Sequence, residues 1–215
     1  MKKRIFITAT NTDIGKTYTT KKLLHAFAKM GLAVGVIKPI ETGVVDEYAP
    51  DGEELLECVK SLNPKLWSLE VEDIVPITYA LPAAPFVASK NTSFDLKKVL
   101  RALEAMEANC DIVLIEGAGG LYVPIDKNTM MIDLIKILDA KALLVTHCSL
   151  GCINDTLLNK KALEALLVSH LIAFNCKKED VNFATVSLPY FEQSGQQVLK
   201  VDDDIDLICE LLYNL

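Results

Sequence analysis

One segment near the amino terminus carries a glycine, a lysine and a threonine in an order suited to holding phosphate. It reads Ala9-Thr10-Asn11-Thr12-Asp13-Ile14-Gly15-Lys16-Thr17 and joins an apolar run to a segment of helical period. Backbone N–H groups at a helix start bind phosphate oxygens, Lys16 can neutralise the β- and γ-phosphates, and the Thr17 hydroxyl can ligate Mg²⁺. The strict phosphate-loop pattern has glycine where Thr10 stands, so the match is incomplete. The segment nevertheless predicts a site for a nucleoside triphosphate.

A second lysine and a carboxylate follow two other apolar runs. Lys38 opens the segment Lys38-Pro39-Ile40-Glu41-Thr42-Gly43, and Glu116 opens the segment Glu116-Gly117-Ala118-Gly119-Gly120. If the apolar runs are parallel strands, both segments lie beside the phosphate loop at the carboxyl edge of one sheet. There Lys38 could stabilise negative charge on a transferring phosphoryl group, and Glu116 could ligate Mg²⁺.

Two further places leave alternatives open. Asp51, in Pro50-Asp51-Gly52-Glu53-Glu54, suits a third Mg²⁺ ligand and the cap of the following helix equally well. The segment Leu150-Gly151-Cys152-Ile153-Asn154 opens a helical pattern whose free N–H groups could bind a carboxylate, although an unliganded turn would have the same sequence. His147 and Cys152 are more typical of packed side chains than of catalytic groups.

Alternating β-rich and helical segments must position these residues. This alternation is typical of βα units around a parallel sheet. The predicted strands span 4–8, 33–37, 111–115, 142–146 and 171–174, and the predicted helices span 16–30, 53–61, 95–108, 131–138 and 153–168. A late strand over 196–201, a last helix over 205–212, and surface loops over 44–51 and 177–184 complete the prediction. Because the strands are nearly all apolar, we expect one α/β domain over 1–215, an open, mostly parallel sheet with helices on both faces.

The composition sets limits on partners and compartment. The chain has 215 residues, of which 51% are hydrophobic and 24% charged, and its net charge is −7. Negative charge disfavours binding to nucleic acid or to an anionic membrane, and the first apolar run is too short for a signal peptide. We therefore expect a cytoplasmic protein. Its six cysteines and three histidines lack zinc-site spacing, and we expect reduced, mostly buried thiols.

Taken together, the motifs resemble those of the dethiobiotin synthetases, a family of the phosphate-loop NTPase superfamily. The resemblance rests on four segments in the same order, 10–17, 38–43, 113–120 and 150–154. It implies a phosphate-loop NTPase fold and the ATP- and Mg²⁺-dependent closure of a cyclic urea. In that reaction one amine of 7,8-diaminononanoate captures CO₂ as a carbamate, which then takes the γ-phosphoryl group. The second amine closes the ring to dethiobiotin, releasing phosphate alongside ADP.

The resemblance also implies a role for each matching residue. Lys38 and Lys16 would be catalytic, and Mg²⁺ would be held by Thr17, Asp51 and Glu116. ATP would be bound by Asp13, Ile14, Gly15, Lys16, Thr17, Tyr18, Asp51, Glu116, Gly117, Ala118, Gly119 and Asn175. The reacting end of the substrate would contact Thr12 and Thr42, and its carboxylate would reach a second subunit at Gly151, Cys152, Ile153 and Asn154. A homodimer with a shared site is therefore implied.

The sequence departs from the family pattern at a few positions. Family members commonly have glycine, aspartate and serine where this chain has Ala9, Asn11 and Thr42. Cys176 follows Asn175, the position that resembles the purine-reading asparagine, where the family often has aspartate. The preference for the base is therefore open.

Two other activities share parts of these motifs. An ATP-dependent amidating ligase of the cobyrinate-diamide-synthase type would require a glutaminase domain, for which the chain has no room. A ParA- or MinD-like ATPase switch generally has an additional lysine early in the phosphate loop and a basic or amphipathic attachment surface. Residues 9–14 contain no lysine and the net charge is −7, which disfavours the switch.

Overall fold

The computed structural model describes residues 3–46, 48–90 and 92–215. Its elements alternate between strands and helices over most of the chain. In chain order they are β1 (Lys3–Ala9), α1 (Lys16–Lys29), β2 (Val34–Ile37), β3 (Glu41–Thr42), α2 (Pro50–Leu62), a 3₁₀ turn (Pro64–Leu66), α3 (Val71–Ile74), β4 (Thr78–Tyr79), α4 (Pro85–Ala88), α5 (Leu96–Glu107), β5 (Ile112–Gly120), α6 (Met131–Ile137), β6 (Lys141–His147), α7 (Cys152–Ala165), β7 (His170–Asn175), α8 (Phe183–Val186), α9 (Leu188–Gln193) and α10 (Ile205–Asn214).

A five-stranded parallel sheet in the order β2-β5-β1-β6-β7 forms the framework. β1 is central: Lys3 pairs with Ile112 of β5, and Ile5 pairs with Lys141 of β6. Ile5, Phe6 and Ile7 are all at most 1% exposed, and since successive side chains point to opposite faces, the sheet is covered on both. The predicted α/β sheet, its five strands and its main helices are thereby confirmed.

The sheet brings the loops that follow β1, β2 and β5 to one edge. All five strands are parallel, so these loops leave from their carboxyl ends. β5 runs to Gly120, five residues beyond the predicted end, so the strand continues through the glycine-rich segment. β3, which comes shortly after β2, forms a small parallel pair with β4.

Three local predictions need correction. The strand predicted over 196–201 is wrong: Lys200 makes one bridge to Phe174, and a turn at 201–204 carries the chain away from the sheet. The loops predicted over 44–51 and 177–184 are partly helical, because α2 begins at Pro50 and α8 at Phe183. Glu47, within the first of these loops, lies outside the described residues.

The expectation of six reduced thiols is also wrong, because Cys148 and Cys176 form a disulfide. They directly follow His147 and Asn175, which are paired across β6 and β7. Parallel pairing therefore leaves the two cysteines side by side, with a Cα–Cα distance of 4.9 Å that suits a disulfide. The remaining cysteines are buried thiols, and burial raises the pKa of Cys209 to about 12.

The described residues lack two features that other classes of protein have. No helix among them combines the length and the apolar character that crossing a membrane requires. Within the same ranges, no three His, Cys, Asp or Glu side chains are grouped so that they could hold a metal ion.

Candidate active site

The phosphate loop occupies residues 10–15, between β1 and α1. Gly15 lies immediately before α1 with a φ of 95°, and Asp13 also has a positive φ, 59°. A Cβ atom on Gly15 would lie 2.2 Å from Nδ2 of Asn175, so glycine is required both by the backbone and by the packing. Thr10 does not have a positive φ, which explains why this loop forms without the glycine of the strict pattern.

Asn175 holds the phosphate loop from the neighbouring strand β7. Its Nδ2 donates a hydrogen bond of 2.7 Å to the carbonyl oxygen of Ile14. Asn175 is 9% exposed, so this amide is part of the packed wall behind the loop. In the described structure, the residue that resembles a purine reader therefore contacts the loop backbone.

Lys38 lies between two carboxylates at the end of β2. Its Nζ is 2.8 Å from Oε1 of Glu116 and 2.5 Å from Oδ2 of Asp51. The Lys38 side chain is 4% exposed and that of Glu116 is 0% exposed. Burial alone would lower the pKa of Lys38, but the two carboxylates outweigh it and raise the pKa. Lys38 therefore carries a full positive charge at neutral pH.

Glu116 is fully buried within β5. Besides Lys38, it accepts a 2.8 Å hydrogen bond from Oγ1 of Thr17 on Oε1. Thr20 Oγ1 lies 2.7 Å from Oε2 and also 2.9 Å from the carbonyl oxygen of Lys16. Thr20 had no predicted role; its spacing of three residues from Thr17 on one helix was the signal that could have found it.

Asp51 does not cap α2, so that interpretation of Asp51 is wrong. The cap position is Ala49, Pro50 is the first helical residue, and the Asp51 side chain reaches Lys38 instead. The backbone N–H groups of Asp51 and Gly52 donate to the two oxygens of Glu41, each at 2.9 Å. Sequence reasoning missed Glu41, because its contact depends on how β3 and α2 are placed.

Lys16 is the second buried cation of the site. Its residue is 8% exposed, and Nζ donates to the carbonyl oxygen of Asn11 at 3.3 Å, across the phosphate loop. Burial lowers the pKa of Lys16, while the nearby Glu116 carboxylate opposes that effect. The ammonium therefore lies against the backbone of the loop that precedes α1.

A cavity of about 500 Å³ joins these groups. It is lined by both lysines, by two carboxylates and by the hydroxyl residues of both predicted substrate-contact positions: Lys16, Lys38, Glu41, Asp51, Thr12 and Thr42. Ala118 and Gly119 complete this wall, and Gly117 lies behind them, where a Cβ would be 2.7 Å from the Phe6 ring. A cavity of similar volume, about 480 Å³, lies near Lys3 and Lys141 at the opposite edge of the sheet.

The remaining predicted residues lie outside this cavity. Gly151 and Asn154 are exposed at the start of α7, Ile153 is half-buried, and Cys152 is fully buried. Beside them, both ring nitrogens of His147 are hydrogen-bonded. Nδ1 lies 2.6 Å from Oγ of Ser149, and Nε2 lies 3.0 Å from Oδ2 of Asp155.

Tyr18 contacts the carboxyl-terminal part of the chain. It is 44% exposed, and its hydroxyl donates to Oδ1 of Asp202 at 2.6 Å. This contact joins α1 to the turn that precedes α10.

Comparisons with known proteins bear on the fold and on the family of this chain. Residues 3–211 match the family model described as "AAA domain". The fold is shared with a solved structure of a plasmid partition protein from Borrelia burgdorferi, at 12% identity and a TM-score of 0.57, covering 99% of this chain and 96% of that one. At this identity the likeness shows the fold alone, so the switch alternative has support only at the level of fold.

Curated relatives are much more similar in sequence. The ATP-dependent dethiobiotin synthetase BioD of Sulfurovum sp. is 46% identical over 188 residues, 87% of this chain and 89% of the relative. The protein of the same name from Wolinella succinogenes is 36% identical over 213 residues, 98% of each chain. The family to which this chain belongs is therefore that of the ATP-dependent dethiobiotin synthetases.

Proposed function

We propose that the chain catalyses the ATP-dependent carboxylation and ring closure of 7,8-diaminononanoate with CO₂ to dethiobiotin, ADP and phosphate. The observation that carries the proposal is that two buried lysines, Lys16 and Lys38, line one cavity beside the phosphate loop together with the acidic side chains of Glu41 and Asp51. Family membership supports the same reaction. Because ATP is a substrate, we place the reaction in the cytoplasm.

The two lysines would act on different parts of the reacting system. Lys16 and the N–H groups of residues 13–18 would hold the phosphate chain, as a helix start preceded by a loop does. Lys38 would stabilise the charge that builds up between the carbamate oxygen and the γ-phosphoryl group. The substrate carbamate is itself the nucleophile, so positioning and charge account for the catalysis and no protein nucleophile is needed. Asn175 would contribute to ATP binding through its contact with the loop.

The residues present fit a magnesium ion. Oxygens of Asp51 and Glu116 approach the same Lys38 ammonium within 2.8 Å, and the Thr17 hydroxyl lies 2.8 Å from Glu116. These oxygens already face one positive charge, and Mg²⁺ needs few protein ligands because it keeps several waters. Thr17, Asp51 and Glu116 would hold the ion, which would neutralise charge on the phosphate oxygens. Thr12 and Thr42 would contact the reacting end of the diamine.

The substrate carboxylate would bind at Gly151, Cys152, Ile153 and Asn154 of a second subunit. Support comes from exposed apolar side chains that follow β5 and β6: Tyr122, after β5, is 67% exposed, and Leu150 and Leu158, after β6, are 87% and 60% exposed. Tyr122 and Leu158 line one shallow depression together with Thr10 and Asn11. An apolar surface at this place suits a homodimer interface beside the site.

We expect Leu158→Asp to convert a dimer into monomers and to abolish most of the activity. The new carboxylate would be buried in the apolar interface without a partner, which destabilises the dimer. Each monomer would then lack the start of α7 that the second subunit supplies to the site. Sedimentation velocity and diamine-dependent phosphate release measure the two effects. Leu167→Asp is the matched control, because Leu167 is 92% exposed just before the amino end of β7, at the opposite edge of the sheet. A wild-type protein that is monomeric at assay concentration and fully active would exclude the shared site.

The proposed reaction is tested by following phosphate release from Mg·ATP and incorporation of labelled bicarbonate in parallel, with and without 7,8-diaminononanoate. We expect the two rates to match and to depend on the diamine. A rate of ATP hydrolysis that is independent of both diamine and bicarbonate would contradict the proposal, and would favour the amidating ligase or the ATPase switch.

A further inference from the structure

Glu41 is a buried carboxylate that takes the place of a helix cap. It is 4% exposed, and its Oε1 and Oε2 accept the backbone N–H groups of Asp51 and Gly52, both at 2.9 Å. The local sequence offers no substitute, since Ala49 at the cap position has no side-chain acceptor. Without Glu41, two N–H groups in the first turn of α2 would lose their acceptor.

The position of Glu41 is itself closely determined. Its backbone N–H donates to the carbonyl oxygen of Ile77 at 2.9 Å, and Glu41 pairs with Thr78 in the β3–β4 ladder. On the helix side, a Cβ on Gly52 would lie 3.2 Å from Oε2 of Glu41 and 2.4 Å from Cγ2 of Val75. The glycine therefore allows the start of α2 to come close to the carboxylate.

The residue held in this way is the one that reaches Lys38. The N–H of Asp51 is bound to Glu41, and its carboxylate is 2.5 Å from Nζ of Lys38. We infer that Glu41 is a positioning residue of this active site: it fixes the first turn of α2 and thereby directs the Asp51 carboxylate at Lys38 and at the metal position. The effect on catalysis rests on the proposed function, but the geometric role does not.

Glu41 also lines the cavity, so a direct contact with a substrate amine is the competing role. Each of its carboxylate oxygens is already bound to a backbone N–H of α2. A group that holds a helix in this manner acts through the residues of that helix. The two roles differ in one respect: only the positioning role requires Asp51.

The first test compares Glu41→Ala and Glu41→Gln with Glu57→Gln, which removes one charge from an exposed position of the same helix. Misplacement of a reacting group by about 1 Å costs on the order of 100-fold, so we expect kcat to fall about 100-fold in Glu41→Ala. Glu41→Gln keeps one acceptor but turns its N–H toward a backbone N–H, and should show a smaller loss. Glu57→Gln should match wild type in kcat and in the KM for ATP.

A double-mutant cycle with Asp51→Asn then identifies the route of the effect. If Glu41 acts through Asp51, Glu41→Ala should cost little once Asp51→Asn is present, because interacting residues give non-additive effects. Effects that multiply instead would overturn the inference and favour direct contact with the amine. Circular dichroism and thermal melts check folding, and Glu41→Gln serves in the cycle if Glu41→Ala does not fold.

A binding measurement keeps the test independent of turnover. Mn²⁺ binding in the presence of ADP, followed by electron paramagnetic resonance, should weaken in Glu41→Ala and stay unchanged in Glu57→Gln. Unchanged Mn²⁺ affinity in a folded Glu41→Ala protein would contradict the role of Glu41. A wild-type enzyme without diamine-dependent activity would contradict the proposed function, while the Mn²⁺ titration would still decide the inference about Glu41.

Discussion

Lys38→Ala is expected to lower kcat by about 10³-fold, on the order of the loss when a preorganised charge-stabilising group is removed. The ammonium is held by Glu116 and Asp51 and lines the same cavity as Lys16, and the proposed function places the transferring phosphoryl group in this cavity. The KM for ATP should change much less, because Lys16 and the loop amides remain. Steady-state phosphate release at saturating ATP and diamine measures the effect.

The same substitution should also lower the stability of the protein. Glu116 is fully buried, and removing one partner of a buried ion pair leaves an uncompensated charge, at a cost of about 3 to 5 kcal/mol. Urea unfolding therefore accompanies the kinetic measurement, so that only folded protein is compared. Lys60→Ala, on α2, is the control for loss of a lysine. A folded Lys38→Ala enzyme with the wild-type kcat would remove Lys38 from the mechanism.

The second large effect is expected for Lys16→Ala. Its ammonium donates a hydrogen bond across the phosphate loop to the carbonyl oxygen of Asn11, and under the proposed function it would neutralise the phosphates. We expect kcat/KM for ATP to fall by about 10² to 10³-fold, the size of loss found when one charged contact in a transition state is removed. The affinity for ADP, measured by calorimetry, should fall as well, which separates this variant from Lys38→Ala.

The pH dependence of the wild-type enzyme should also report Lys16. Burial lowers the pKa of Lys16, so its ammonium is lost at a lower pH than that of an exposed lysine. The KM for ATP should therefore rise on the alkaline side earlier than for an ordinary lysine. Lys22→Ala is the matched control for Lys16→Ala, because Lys22 is on the same helix and pairs with Asp202 at the surface. An unchanged affinity for ADP in Lys16→Ala would contradict the assignment of Lys16 to phosphate binding.

The sheet and the main site positions could be predicted from the sequence because their signals are local. Runs such as Ile5-Phe6-Ile7 are apolar at every residue since both faces of the strand are covered. The chemistry-bearing residues directly follow such runs, and parallel topology sends them to one edge. Lys38 and Glu116 could therefore be expected to lie close together, and Nζ of Lys38 is 2.8 Å from Oε1 of Glu116.

Other features depend on packing between distant segments and have no local signal. Glu41 reaches the start of α2 because β3, β4 and the helix meet there. Cys148 pairs with Cys176, 28 residues away, whereas the closest pair in the sequence is Cys148 and Cys152. At 196–201 the residues suit a strand, but only Lys200 is bridged to the sheet. Side-chain pattern predicts the kind of element a segment can form, and tertiary contacts decide its partner.

The central place of β1 has a consequence for the order of folding. Lys3 pairs with Ile112 and Ile5 with Lys141. β1 is the first strand to leave the ribosome, and it cannot pair until β5 and β6 have been synthesised. At synthesis rates of about 5 to 20 residues per second, β5 follows β1 by roughly 5 to 20 s. Closing so long a loop makes such pairing slow. The strand that carries the phosphate loop thus spends this interval as an unpaired apolar segment, which is the segment a chaperone on the nascent chain would have to shield.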